Sequence, residues 1–136
     1  MNCLFCRIIG KEIPASVVFE DGRVIAFLDI NPAVPHGGHV LVVPKKHSLN
    51  LNDTAEEDFA SVTQCTKKIA SALMKSYDGV NIMQNNGKAS GQVVEHLHFH
   101  VIPRNSNDGV HLGRWQNFKY EGDAMKKMQD SIKKLL

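Results

Sequence analysis

The stretch that leaves this chain least freedom is Glu95-His96-Leu97-His98-Phe99-His100-Val101-Ile102-Pro103. Histidine and apolar residues alternate through it, and an extended backbone turns successive side chains to opposite faces. The pattern predicts a strand with Leu97, Phe99 and Val101 on one face and His96, His98 and His100 on the other. Each imidazole would then stand about 6–7 Å from the next. Three of the seven histidines fall within five residues. Such a row either binds metal or moves protons and phosphoryl groups, and the residues around it decide which.

The flanking sequence predicts a small mixed fold. Residues 16–20 and 24–28 are β-branched or aromatic runs around Asp21-Gly22, a hairpin signal. Residues 29–38 carry two prolines and two glycines and form a loop. Residues 39–43 form a third strand, with His39 at its start, Pro44 as its stop and His47 just beyond. Asp53 as N-cap with Glu56 at the capping-box position opens a helix. Along it Phe59, Val62, Thr66, Ile69, Leu73 and Tyr77 recur at helical spacing as a core stripe. Cys65 lies within that helix as a small packing residue, and Gly79 is its stop.

A fourth strand over residues 80–84 leads into the glycine-containing loop from Asn85 to Gln92, whose backbone N–H groups can hold an anion. Residues 105–120 are irregular around Trp115. A final amphipathic helix over residues 121–136 has Ala124, Met128, Ile132 and Leu135 on its apolar side. Strands do not alternate regularly with helices, so the expectation is one α+β domain over residues 1–136. It would hold a five-stranded antiparallel meander, one long helix and a C-terminal helix.

Composition removes several classes. Apolar residues at 43% and charged residues at 22% are those of an ordinary globule. A net charge of +2 does not suit a duplex-coating protein, and Lys126, Lys127, Lys133 and Lys134 read as the solvated face of a helix. No apolar run approaches a membrane span and no signal-peptide pattern opens the chain, so a cytoplasmic protein without nucleic-acid or membrane partners is expected. Three cysteines cannot build a disulfide framework. The Cys3-x-x-Cys6 pair is open to a redox, a metal or an incidental reading. As metal ligands the two would supply half of the four that a structural zinc needs, with His47 and His96 as candidates for the others.

Two chemistries suit the histidine row itself. A catalytic zinc would use His-x-His pairs, yet the only acid on the segment, Glu95, points to the opposite face. His96 and His100 are also too far apart to share an ion without displacing His98. Alternatively, an imidazole attacks a phosphorus ester and a protonated neighbour serves the leaving group. A glycine-containing loop just upstream would cradle the non-bridging oxygens. Mutual repulsion of neighbouring imidazolium charges would keep the nucleophile neutral.

His96-Leu97-His98-Phe99-His100-Val101-Ile102 resembles the signature of the histidine-triad family of nucleotide hydrolases and transferases. The likeness runs from about Cys3 to Arg104. It includes Phe5-Cys6-Arg7-Ile8-Ile9, Glu12-Ile13-Pro14-Ala15, Phe19-Glu20-Asp21, Asp29-Ile30-Asn31-Pro32, the segment from His39 to His47, and the Asn85 to Val94 approach. These are similar to the Hint branch. The resemblance implies a covalent nucleotidyl-His98 intermediate, with His100 contacting the phosphate and serving the leaving group. His96 would be the orienting partner and His39 would stand beside them. Asn85, Gln92 and the backbone of Val93 would hold phosphate oxygens. Asp29 would bind the ribose, and Leu4, Phe5, Ile8, Phe27 and Ile30 would form the purine pocket. A homodimer would join two sheets into one of ten strands.

The implied substrate is a purine nucleoside 5′-monophosphate joined to an amine or related leaving group. A dinucleoside polyphosphate hydrolase and a non-catalytic nucleotide-binding partner protein stay open. Bacterial-type relatives with the Cys-x-x-Cys pair imply a structural zinc on Cys3, Cys6, His47 and His96. This chain departs from the family pattern at Val93, where many relatives carry Ser or Thr. The turn before His39 is also longer, leaving His36 as a spare titratable group near the site.

Overall fold

A computed structural model describes residues 2–136, in which five strands form one antiparallel sheet. Strands β1 (Val17–Glu20) and β2 (Val24–Leu28) make the expected hairpin. Asp21 closes its turn by accepting the backbone N–H groups of Arg23 and Val24 on Oδ1, each at 2.8 Å. Strand β3 (Val40–Pro44) pairs with β2, and helix α2 (Glu56–Leu73) follows. Strands β4 (Gly79–Gln84) and β5 (Phe99–Arg104) complete the sheet in the order β1-β2-β3-β5-β4. The meander is therefore continuous only through β3, and β5 returns to fill the place between β3 and β4. The apolar Val101 and Ile102 suit that interior position, whereas β4 leaves Ile82 exposed at the edge.

Strand alternation divides the chain into two packed faces. On one, Val24, Ala26, Val40, Val42 and Val101 meet Val62, Cys65 and Ala70 of α2, with Ile69 and Leu73 against them. The core stripe of α2 and the packing role of Cys65 are as expected, and burial pushes the Cys65 thiol up to about 11. On the other face, Ile25, Phe27, Leu41 and Val43 pack on Phe5 from a short N-terminal helix, α1 (Leu4–Ile9). At six residues α1 is too short for hydrophobic periodicity to announce it. Its effect is large: it roofs the histidines.

The sequence expectations for helix ends need correction. Ala55 is the N-cap of α2, without a side-chain bond. Asp53 instead accepts the N–H groups of Leu49 and Asn50, both at 2.9 Å, and folds the preceding turn. The helix ends at Leu73, before Gly79, because residues 74–78 turn through backbone bonds that include Tyr77 N–H to Leu73 O at 3.1 Å. Residues 105–120 are irregular, as expected. Helix α3 (Ala124–Leu135) forms but buries no residue, so the apolar side carried by Met128, Ile132 and Leu135 faces outward. Among the described residues no helix is long and apolar enough to cross a membrane.

Candidate active site and metal centre

The site is built across the sheet. Phe27, Leu41, His100 and Met83 are successive Cα partners on β2, β3, β5 and β4, so their side chains share one face. Regular strand structure begins at Phe99, and His96 to His98 precede it, so the three histidines are not one straight strand row. The approach is anchored instead on the exit of β3. Leu97 N–H donates to Ser48 O at 2.8 Å and His96 Nε2–H to Pro44 O at 2.8 Å. Phe5 stands edge-on to both His96 and His98, with ring centroids 5.9 and 5.2 Å away. His98 and His100 are 4.9 Å apart by the same measure.

Hydrogen bonds fix where each imidazole carries its proton, since a carbonyl only accepts and a backbone N–H only donates. His98 donates Nδ1–H to the His96 carbonyl at 2.7 Å, which leaves the lone pair on Nε2. Ala33 N–H donates to His39 Nδ1 at 3.1 Å, so His39 carries its proton on Nε2. That proton goes to His100 Nδ1 at 2.9 Å, and His100 in turn presents Nε2–H. His96, held through Nε2–H, has its lone pair on Nδ1. One unprotonated nitrogen and one N–H donor thus stand side by side on His98 and His100.

Burial keeps these rings neutral. It is the largest influence on all of them, pushing His96 and His100 down to about 4 and lowering His98 and His39. The like charges of His98 and His39 act on His100 only second to burial. Repulsion, the cause anticipated from the sequence, is therefore the smaller one. The His96 carbonyl and the Asp29 carboxylate both oppose the downward shift of His98.

On the far side of His96, Cys3, Cys6 and His47 converge on its Nδ1. The separations are 3.4 Å from Cys3 Sγ, 3.6 Å from Cys6 Sγ and 3.2 Å from His47 Nδ1, with Cys6 Sγ to His47 Nδ1 at 3.3 Å. Helix α1 makes this possible, because Cys3 is its N-cap and Cys6 lies in its first turn. Tetrahedral bonds of about 2.0–2.3 Å would set neighbouring N and S ligands roughly 3.3–3.8 Å apart, close to what is found. Burial and the neighbouring Cys3 raise the Cys6 thiol, a cost that a cation between the sulfurs would remove. These four residues can hold a metal ion.

A cavity of about 410 Å³ opens over the sheet beside His98 and His100. Of the residues singled out in the sequence, Leu4, Phe5, Ile8, Phe27, Asp29, Ile30 and Val93 line it. Ile30 and Val93 are rim residues, 92% and 89% exposed. Asp29 does two things at once: Oδ1 accepts Asn31 N–H at 2.8 Å, and Oδ2 lies 3.9 Å from His39 Nδ1. Ile13, Pro14, Ala15, Leu41 and Val94 also line the cavity. Leu41 was findable from strand register with His100; the others needed the placement of α1.

Asn85 and Gln92 are not among the lining residues. The Gln92 amide is consumed by backbone, accepting Gly87 N–H at 2.7 Å and donating to Leu49 O at 2.7 Å and Val94 O at 3.0 Å. It braces the loop beneath the rim. Asn85 lies against Gly91, whose positive φ of 90° favours glycine at that turn. His36 is also no part of the site: it stacks on Tyr77 at 5.3 Å and donates to Pro103 O at 3.2 Å.

The model of the HIT domain family matches residues 10–107, and the chain belongs to that family. The crystal structure of a HIT family member from Bacillus subtilis superposes with a TM-score of 0.89 at 36% identity, covering 100% of this chain and 98% of that one. The adenosine 5′-monophosphoramidase of Schizosaccharomyces pombe is 34% identical over 133 residues, 97% of this chain and 96% of the yeast protein. A zinc-bound histidine triad family protein from Mycobacterium smegmatis superposes at 0.77 with 34% identity, covering 100% and 99% of the two chains.

Proposed function

We propose that this chain hydrolyses purine nucleoside 5′-phosphoramidates through a nucleotide held covalently on His98. The observation that carries this is the pinned tautomer of a buried ring beside an apolar cavity: Nδ1–H is tied to the His96 carbonyl, so Nε2 is the basic nitrogen. Nε2 attacks phosphorus as the P–N bond breaks, and the leaving nitrogen departs as an amine after taking up a proton. Water then attacks phosphorus, the P–Nε2 bond breaks, and the nucleoside monophosphate is released with one water consumed.

His100 is the donor beside it. Burial by itself keeps this ring neutral, but a bound phosphoryl anion favours the imidazolium. The substrate thereby brings in the proton its own leaving group needs. His39 steadies neutral His100 through the 2.9 Å bond. When His100 is protonated that bond reverses, His39 accepting on Nε2 and carrying its own proton on Nδ1. The backbone of Val93 faces the phosphoryl oxygens. Asp29 meets the ribose. Leu4, Phe5, Ile8, Phe27 and Ile30 enclose the base. Gln92 and Asn85 serve by shaping the loop. The name of the yeast relative supports the phosphoramidate reading.

Cys3, Cys6, His47 and His96 would hold a structural zinc, supported by their spacing and by the zinc-bound neighbour. Bound there, the ion supplies a cross-link with no position left for water. The four side chains themselves tie α1, which carries Phe5, to the approach that carries His98. A homodimer through the open β4 edge is part of the proposal, supported by exposed Ile82 beside Met74.

A second reading, a dinucleoside polyphosphate hydrolase, rests on Lys88, which lines an adjoining cavity that shares Val93 with the first. A substrate panel separates the two. Faster turnover of an adenosine phosphoramidate than of diadenosine polyphosphates supports the main reading, and the reverse order replaces it. Alkaline quenching of wild type with labelled substrate is expected to trap one label per site; a fully active enzyme that never carries label would refute the covalent step.

A further inference from the structure

The molecule holds a second group of metal-ligating side chains that the hydrolase reading uses for other purposes. Asp29, His39 and His100 present ligand atoms that all lie within 4.8 Å of one another. We infer that these three residues form a binding site for a borderline transition-metal dication of the Zn²⁺ or Co²⁺ kind, and that its occupation shuts the nucleotide cavity.

The geometry is close to what such an ion requires. His39 Nε2 and His100 Nδ1 are 2.9 Å apart with one proton between them. Nitrogen ligands on one tetrahedral zinc stand about 3.3 Å apart, so the two rings need to separate by only a few tenths of an ångström. Each neutral imidazole has one lone pair; to turn its own toward the ion His39 moves its proton from Nε2 to Nδ1 and gives up the Ala33 N–H bond that Nδ1 now accepts. The loop is held for the purpose, since Asp29 N–H donates to the His39 carbonyl at 2.9 Å. The burial that keeps both histidines neutral also keeps them available as ligands.

Two imidazoles and a carboxylate favour zinc, cobalt, nickel or copper over magnesium, which prefers oxygen ligands. Three protein ligands leave a position open, and because Asp29 and His100 line the cavity, that position faces the nucleotide. An ion there takes the Nδ1 that His39 now steadies and draws the Asp29 carboxylate off the cavity wall. The binding half of this inference is independent of the proposed reaction; only the inhibition half rests on it.

The test is a Co²⁺ titration of protein first loaded with one Zn²⁺ per chain. One further equivalent of Co²⁺ is expected to bind, with visible d–d absorption and no thiolate-to-cobalt charge transfer. Asp29→Asn and His39→Gln should weaken that binding by at least about tenfold. Both variants, prepared with Co²⁺ alone, should still show the thiolate band of the cysteine site, which certifies their fold. Excess Zn²⁺, but not Mg²⁺, should inhibit the wild-type hydrolase. No second equivalent, a charge-transfer band from exchange at the cysteines, or uptake unchanged in both variants would overturn the site. Equal inhibition by Mg²⁺ would overturn its selectivity.

Discussion

His96 and His100 stand two residues to either side of His98, are both drawn below the ordinary imidazole range by burial, and yet face different chemistries. Around His96 two thiols and a second imidazole converge on a lone pair. Around His100 an imidazole N–H fills the lone pair and turns an N–H outward instead. The ring is the same; the atom opposite its Nδ1 differs. A sulfur pair makes a place for a cation, and a neighbouring N–H makes a proton relay. The weaker cation site inferred on the His100 side differs in having no thiolate and a proton to move first.

The sharpest way to break this contrast is to remove the ring between the two clusters. His98→Ala should lower kcat by on the order of 10⁴ while leaving nucleotide binding and metal content intact, measured by single-turnover kinetics and metal analysis. If the variant keeps wild-type turnover, neither cluster serves it. Next, His100→Ala should cost about 10²-fold in kcat with the cysteine site unaffected. Cys6→Ser should do the reverse, losing zinc and lowering the Tm, with a smaller activity loss of roughly 10–100-fold through His96.

Acid sharpens the comparison without mutation. Burial holds the folded pKa of His98 below the ordinary 6.5, so kcat/KM should stay level down through about pH 6.5 and fall only at lower pH, as Nε2 is protonated. Stability should follow. His100 goes from 6.5 unfolded to about 4 folded, so between those values the unfolded chain binds the extra proton. Stabilisation present above pH 6.5 is then lost as the pH falls toward 4. Denaturation curves that stay flat across that window would contradict the burial of the ring. The smallest effect is expected at Gln92→Leu. It should cost about 1–3 kcal/mol through three backbone groups left without their partner, with a rise in KM and little change in kcat.

Much of the fold was legible because it depends on local periodicity. The hairpin at Asp21-Gly22, the strand stopped by Pro44 and the stripe from Val62 to Leu73 each follow from near neighbours along the chain. Helix ends were less legible. Asp53 had a capping signature but spends its carboxylate on Leu49 and Asn50, because two nearer donors competed for it. Gln92 illustrates the same limit in the site. A polar side chain beside a glycine-containing loop can face a ligand or the loop itself, and here the backbone claimed both amide N–H groups and a lone pair of the oxygen.

The amino-acid order by itself determined which groups are present: three alternating imidazoles, a cysteine pair with helical spacing, an apolar face beneath them and an aspartate in the loop before His39. Only tertiary structure decided which nitrogen of each ring is basic. That choice depends on the carbonyls of Pro44 and His96 and the N–H of Ala33. A neutral imidazole has two tautomers that differ little in energy until a fixed donor or acceptor selects one. For His96 and His100 the selecting groups, on Pro44 and His39, are distant in the chain and brought there by folding. For His98 and His39 they are near neighbours held by the local turn of the backbone.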